Sequence, residues 1–346
     1  MARAHMLRLF CVIFIITFQL TCCSEVKKYP LLMPNVYPYR DELYLCTPVR
    51  VVDGDGFYIV GFEPNATMNV AHHMLLFGCS EPGATQNFWN CGEMGAMSDP
   101  DSNLDSAPPC SKGSHVIYAW ARNAKALKLP DDVGFQVGGN TEIKYLVLQI
   151  HYSKKFPEHL RDNSGLNLLY TKQPQTKLAG VVLLATGGII PPNNITHMET
   201  MCKINEEDPN TEIFPFAYRT HTHTLGRVVS GYRVQLNEEG VDQWTLLGKR
   251  NPLTPQMFYP VFDNTSIKNG DILAARCTMD SRSRRDVTKV GPTNKDEMCN
   301  FYLMYYVENG KPLNMKYCSS EGPPYFYWKS SHLKNIPDYE ASTLYD

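Results

Sequence analysis

The chain reads as an all-β protein made of two disulfide-braced domains, and three features of its 346 residues lead there. Glycine (23), proline (24) and aromatic residues (11%) are plentiful, while long Ala/Leu/Glu/Lys runs of helical period are missing, so strands joined by turns are favoured. The length exceeds what one hydrophobic core usually fills, which makes two domains the default. Beyond the N-terminal apolar run the cysteines fall into two groups: Cys46, Cys79, Cys91 and Cys110, then Cys202, Cys277, Cys299 and Cys318. An even set in an exported chain predicts disulfides, and the grouping predicts bridges kept within two domains. No CxxC spacing supports a cysteine zinc site.

Export is read from the N-terminus. Arg3 and Arg8 precede an apolar run over residues 9–20 and the small residues Thr21-Cys-Cys-Ser24. This is the pattern of a secretory signal peptide over residues 1–24, and the run is too short for a stable membrane span. An uncleaved anchor is the alternative; with cleavage near Cys23 or Ser24, Cys11, Cys22 and Cys23 leave with the signal. The mature chain is therefore expected in the secretory-pathway lumen, in secretory granules or outside the cell. Sequons at Asn65, Asn194 and Asn264 fit an exported glycoprotein. With 33 basic and 35 acidic residues, nothing in the charge points to nucleic acid or to an anionic membrane.

Taken in order, residues 44–62 read as strand, tight turn and strand, with Asp53-Gly-Asp-Gly56 at the turn of a hairpin. No acidic residue closes that turn as a calcium loop would require. Residues 68–79 are apolar except for His72-His73, and two adjacent side chains can reach one ion only where a strand bends or bulges. Residues 80–114 form a loop pinned by two cysteines, and a strand resumes at 116–122. The segment 144–152 is a strand with Leu146, Leu148 and Ile150 on one face and Tyr145, Val147, Gln149 and His151 on the more polar one. The polar stretch 171–177 is the domain junction, dividing 25–174 from 175–320. Past it, 178–184, 226–235 and 271–277 read as strands. The basic segment Ser281-Arg-Ser-Arg-Arg-Asp286 is a solvated loop, which a dibasic-site protease could nick at Arg284-Arg285. The Pro- and Tyr-rich residues 321–346 read as a loosely held tail.

The chemistry concentrates in two stretches. In Phe216-Ala-Tyr-Arg-Thr-His-Thr-His-Thr-Leu225, strand alternation puts Arg219, His221 and His223 on one face. Two imidazoles at i and i+2 can chelate one metal ion, and a guanidinium beside them can hold a carboxylate. In Glu297-Met-Cys-Asn-Phe-Tyr302 the same parity lines up Met298, Asn300 and Tyr302. A thioether favours Cu(I) and does little for zinc, so His221, His223 and Met298 make a copper hypothesis. His72, His73 and His151 make a second, nitrogen-only set. HExxH, GxSxG, strand-linked GxGxxG and P-loop signatures are absent from the sequence.

These stretches resemble a known family. His72-His-Met-Leu-Leu-Phe-Gly-Cys79, Tyr118-Ala-Trp-Ala-Arg-Asn123, Val147-Leu-Gln-Ile-His-Tyr152, Phe216-Ala-Tyr-Arg-Thr-His-Thr-His223 and Asp296-Glu-Met-Cys-Asn300 are similar, in order, to the peptidylglycine α-hydroxylating monooxygenases of the copper type II, ascorbate-dependent group. The similarity covers roughly residues 30–320. It implies two jelly-roll-type β-sandwiches facing each other across a solvent-filled cleft, each with one copper, and an enzyme using O2 and ascorbate. His72, His73 and His151 match the ligands of an electron-transfer copper; His221, His223 and Met298 match those of an oxygen-binding copper. Arg219, Asn300 and Tyr302 match positions that hold the carboxylate of a glycine-extended peptide, while Gln149 and Tyr44 match positions near the first copper.

The implied disulfides are Cys46–Cys91, Cys79–Cys110, Cys202–Cys318 and Cys277–Cys299. Relatives often carry a further bridge from the N-terminal segment to the region of Asn163; this chain has a cysteine at neither place, which leaves residues 25–43 without that anchor. His115 and His197 fall outside the implied ligand set and are read as surface residues. A separate lyase would complete amidation, and a monomer is expected. The rival readings are a dopamine β-monooxygenase-like hydroxylase and a non-catalytic extracellular copper-binding protein.

Overall fold

The computed structural model describes residues 25–51, 54, 56–92, 106–237, 239–291, 293 and 295–344. The signal-peptide reading of residues 1–24, and the middle of the 80–114 loop, lie outside that set. Strands dominate, and among the described residues no helix is long and apolar enough to cross a membrane.

The first half contains β1 (Lys27–Leu32), β2 (Leu43–Arg50), β3 (Phe57–Asn65), β4 (His73–Cys79), β5 (His115–Ala121), β6 (Val133–Val137), β7 (Tyr145–Tyr152) and β8 (Gly165–Thr171). β2, β7, β4 and β5 form one antiparallel sheet; β1, β8, β3 and β6 lie in another. Apolar side chains of both, among them Leu45, Phe62, Leu76, Trp120, Leu148 and Leu168, bury a common core. Two sheets with one shared interior make a β-sandwich. The strand–turn–strand reading at 44–62 is corrected here. β2 and β3 do not pair as a hairpin, because β2 lies against β7 while β3 lies against β8 and β6. The chain passes from one sheet to the other between Arg50 and Phe57; residues 52, 53 and 55 of the turn read there lie outside the described residues.

The second half adds β9 (Lys177–Thr186), β10 (Ile195–Lys203), β11 (Glu212–His221), β12 (Gly226–Leu236), β13 (Asp242–Arg250), β14 (Ile272–Asp280), β15 (Asn300–Val307) and β16 (Tyr317–Ser320). β9, β15 and β11 face the sheet β10-β14-β12-β13. Phe301 and Tyr218 stack between the two with ring centroids 5.6 Å apart. Gly231 and Gly248 make room for them: a Cβ at Gly231 would lie 2.2 Å from the Phe301 ring, and one at Gly248 would lie 2.4 Å from Tyr218. Both halves share a sheet, because β6 pairs in parallel with β9 through Val133–Lys177 and Gly134–Leu178.

Four disulfides, Cys46–Cys91, Cys79–Cys110, Cys202–Cys318 and Cys277–Cys299, pin the loops to these sheets. The N-terminal segment is held without a fifth. β1 pairs with β8 over six residues, Asn35 N–H donates to Asn163 Oδ1 at 2.9 Å, and Met33 and Val36 are buried.

The loosely held tail is a second correction. Trp328 is fully buried; its backbone N–H donates to Glu199 and its indole N–H to the Thr200 carbonyl. Arg276, itself buried, pairs with Glu199 and with Asp338 at the start of α1 (Asp338–Ser342) and lies over the Trp328 ring. A tryptophan that leaves water brings a large apolar area with it, and here its N–H also finds an acceptor. The tail therefore forms a small core of its own with Tyr232, Val234 and Ala274.

Candidate metal and substrate site

His72, His73 and His151 come together at one end of the first sandwich. His73 on β4 is directly opposite His151 on β7, and His151 is opposite Tyr44 on β2. His72 precedes β4, so strand alternation does not turn it away; its N–H donates to the His151 carbonyl at 2.9 Å. One ring nitrogen from each of the three lies within 4.8 Å of the others. The Tyr44 ring stacks on His151 at 4.1 Å between centroids.

Hydrogen bonds fix which nitrogens face inward. The Nε2 of His151 is 2.7 Å from the Glu42 carboxylate, which can only accept, so Nδ1 is left as the lone-pair atom. That Nδ1 is 3.4 Å from His73 Nδ1, and His72 Nδ1 is buried with no partner among the described residues. Burial, then the neighbouring His151, pushes His72 down to about 4; the same two causes hold His73 well below the ordinary imidazole value. Neutral imidazoles crowded around one point suit a cation.

The second group stands on β11 and on the segment entering β15. Arg219 is opposite Tyr302 and His221 is opposite Asn300. His221 Nδ1 lies 2.7 Å from Gln256 Oε1, and His223 Nδ1 lies 3.0 Å from the Asp296 carbonyl. Both acceptors require an Nδ1 proton, which leaves each Nε2 unprotonated. Met298 is buried, with its sulfur 3.8 Å from Asn300 Nδ2. Glu297, fully buried, holds the region: its carboxylate accepts from the backbone N–H groups of His223, Thr224, Leu225 and Met298. One side chain thus fixes the turn bearing His223 and the residue before Cys299. Burial, then the Arg219 charge, holds His221 well below its ordinary pKa.

Arg219 is 2% exposed. Its Nε donates to the Gln256 carbonyl at 3.0 Å and its Nη2 to Gln256 Oε1 at 3.3 Å, and it lies over the Tyr302 ring at 5.0 Å. Among the described residues no carboxylate pairs with it. Buried guanidinium groups ordinarily have an anionic partner.

Arg219, His221, Met298, Asn300 and Tyr302 line one cavity of about 320 Å³ together with His73 and Gln149 of the first half. Gln149 donates to the Gly92 carbonyl at 2.8 Å. Tyr44 is placed behind His151 rather than at the cavity wall. The His73 and His221 rings are 6.2 Å apart between centroids, so the two histidine groups stand close together beside this cavity rather than on opposite sides of a wide solvent-filled cleft.

His115 and His197, read as surface residues, are half-buried instead. His115 lies 3.9 Å from the Glu142 carboxylate, and His197 lies 3.3 Å from Thr278 Oγ1. Sequence reasoning missed Glu42 and Gln256, and it quoted Glu297 without a role. Only Glu297, inside a recognised motif, carried a signal. Asn65, Asn194 and Asn264 are all exposed.

Fold and site together define a class: β-sandwich proteins with a cluster of three histidines that could hold a metal ion and, beside it, a second and unlike set of two histidines and a methionine. Residues 29–158 match the profile of the copper type II ascorbate-dependent monooxygenase N-terminal domain, and residues 177–331 match that of its C-terminal domain. The chain belongs to the copper type II, ascorbate-dependent monooxygenase family. It is 39% identical to peptidyl-glycine alpha-amidating monooxygenase B of Xenopus laevis over 88% of its length and 38% identical to the peptidylglycine alpha-amidating monooxygenase of Rattus norvegicus over 88%. Dopamine beta-hydroxylase of Homo sapiens is 28% identical over 91% of the chain and is matched over 50% of its own length. The chain spans 33% and 29% of the two amidating relatives.

The donor sets fit copper. Three imidazoles, one of them His72 with a buried and unpartnered Nδ1, suit either oxidation state, and the thioether of Met298 suits the reduced one.

Proposed function

We propose that this chain hydroxylates the α-carbon of a C-terminal glycine on a peptide, the first step of peptide amidation, with two coppers, O2 and ascorbate. One oxygen atom enters the C–H bond, the other leaves as water, and ascorbate provides two electrons. His72, His73 and His151 would hold one copper and His221, His223 and Met298 the other, and bound copper would supply one-electron redox chemistry toward O2.

The chain's own residues bind and orient. The observation that carries the reading is Arg219, buried and without a carboxylate partner among the described residues, at the wall of a small cavity beside His221 and Met298. A substrate carboxylate there completes a charge-assisted pair worth about 1.5–3 kcal/mol. Gln256 aims the guanidinium from behind, and Asn300 and Tyr302 stand beside it. A cavity of about 320 Å³ accommodates a terminal residue, not a folded peptide, which supports action at a chain end. Glu42, Gln256 and the Asp296 carbonyl hold the imidazole tautomers that leave lone pairs for the metals.

A dopamine-like substrate has an ammonium group and no carboxylate, so Arg219 would repel it. The test is turnover of a dansylated peptide ending in glycine, with Cu(II) and ascorbate. The hydroxyglycine product is expected, and Arg219→Gln should raise KM about 10- to 100-fold. Turnover of a catecholamine in preference to the peptide, or an unchanged KM in Arg219→Gln, would overturn the assignment.

A further inference from the structure

We infer that the loop at 281–287 is a processing site for a serine endoprotease of the secretory pathway whose acidic subsites recognise clustered arginines, and that the cut chain stays assembled. The loop follows β14 and carries Arg282-Ser-Arg-Arg-Asp286, with basic residues at the first, second and fourth positions before the Arg285–Asp286 bond. Arg282, Arg285, Asp286 and Val287 are exposed, and Arg285 makes no hydrogen bond or ion pair among the described residues.

The loop is anchored at both ends, by the buried Ser281, hydrogen-bonded to Pro191, Asn193 and Asn194, and by the pairing of Thr288–Lys289 with Ile189–Ile190, but few contacts hold residues 282–287 between them. Arg284 N–H donates to the Ser281 carbonyl at 2.8 Å, Arg284 Nη2 lies 3.3 Å from Thr224 Oγ1, and Arg282 pairs at the surface with Asp280. Exposed loops with so little to break are where folded chains open to proteases.

The other paired basic sites are built differently. Lys27-Lys28 lies in β1, hydrogen-bonded to β8, and Lys249-Arg250 ends β13 with Lys249 buried. Lys154-Lys155 is exposed, but the fourth residue before that cut is the buried Tyr152, and Lys155 N–H is tied to Asp41. Only the 281–287 loop combines exposure with an arginine at the fourth position.

Hydrolysis adds one water across the Arg285–Asp286 amide, leaving a carboxylate on Arg285 and an ammonium on Asp286. The cut would put Arg219, His221 and His223 on one piece and Met298, Asn300 and Tyr302 on the other. Cys277–Cys299 and Cys202–Cys318 both span it, and β15 stays paired between β9 and β11. The pieces are therefore joined covalently and by the sheet.

Incubating the folded, disulfide-intact chain with a purified endoprotease that cuts after Arg-X-Arg-Arg tests this. Intact mass should rise by one water, a non-reducing gel should keep one band, and a reducing gel should give two fragments beginning at the mature N-terminus and at Asp286. Arg285→Ala should lose the cleavage, and Arg282→Ala should slow it. The inference fails if the folded chain resists while a synthetic peptide of residues 278–290 is cut, if the main cut falls after Lys155, if Arg285→Ala is still cut, or if the fragments separate without a reductant. These readouts do not depend on the proposed activity.

Discussion

Gln256 serves Arg219 and His221 at once, and its own amide N–H donates to the carbonyls of Thr222 and Pro252. Gln256→Leu removes the acceptor of the His221 Nδ1 proton and of one Arg219 donor while leaving volume nearly unchanged. Copper affinity at the His221 group should fall about 10- to 100-fold in a metal titration and KM for glycine-ended peptides should rise; Gln256→Glu keeps the acceptor for His221 but sets a carboxylate oxygen against the Thr222 and Pro252 carbonyls and pairs with Arg219, so it should restore the affinity only in part and leave KM raised. Protonation acts on the same residues. His72 is pushed down to about 4 from 6.5, and His73 and His221 also lie well below their ordinary value, in each case first through burial. Between about 4 and 6.5 the unfolded chain binds protons that the native chain does not, so stability rises with pH across that window and is lost as pH falls through it. The thermal midpoint of the metal-free chain should drop steadily from pH 6.5 to 4; a flat profile would contradict the burial of these rings.

At the scale of elements, the turn after β11 depends on Glu297. Glu297→Gln places an amide N–H against backbone N–H donors, so it should cost about 1.5–3 kcal/mol in thermal or urea unfolding. Copper should also be lost from the His221 group before the His72 group. The main strands carrying the site were legible, because alternation in 144–152 and 216–221 fixes which side chains share a face. The parity that joined Arg219 with His221 and Asn300 with Tyr302 needed only local spacing, whereas His223 and Met298 lie just outside β11 and β15, where the turn held by Glu297 and not strand alternation places them. Pairing was not legible. The Asp53–Gly56 turn says that the chain changes direction, but which strand receives β3 is decided by the sheet it packs into. Glu42 and Gln256 were invisible for the same reason: each acts on a histidine 109 or 35 positions away, and no local pattern marks such a partner.

At the scale of the molecule, the C-terminal segment is structural. Trp328 fills a pocket formed by Tyr232, Trp244 and the buried Arg276, so Trp328→Ala should destabilise the chain by about 3–5 kcal/mol, measured by equilibrium unfolding. A comparable loss in Arg276→Met would be weaker evidence, since an ion pair and packing disappear together. Composition alone hid this, because a stretch rich in proline and tyrosine resembles a linker until its one tryptophan meets a partner more than a hundred residues earlier. The N-terminal segment makes the opposite point. Where relatives are implied to use a disulfide, this chain uses a β-ladder and the Asn35–Asn163 bond, an anchorage that thiol reagents do not release.

The seam between β6 and β9 bears on how the chain is made. The first half leaves the ribosome with the far edge of β6 unpaired, and its partner is not there until Lys177 and Leu178 have been added. β9 in turn awaits β15, more than a hundred residues later. Through that interval the nascent chain presents an open row of backbone donors and acceptors, the feature that invites pairing with other chains. The backbone groups along that seam therefore find their last partners late in synthesis, when β15 has been added.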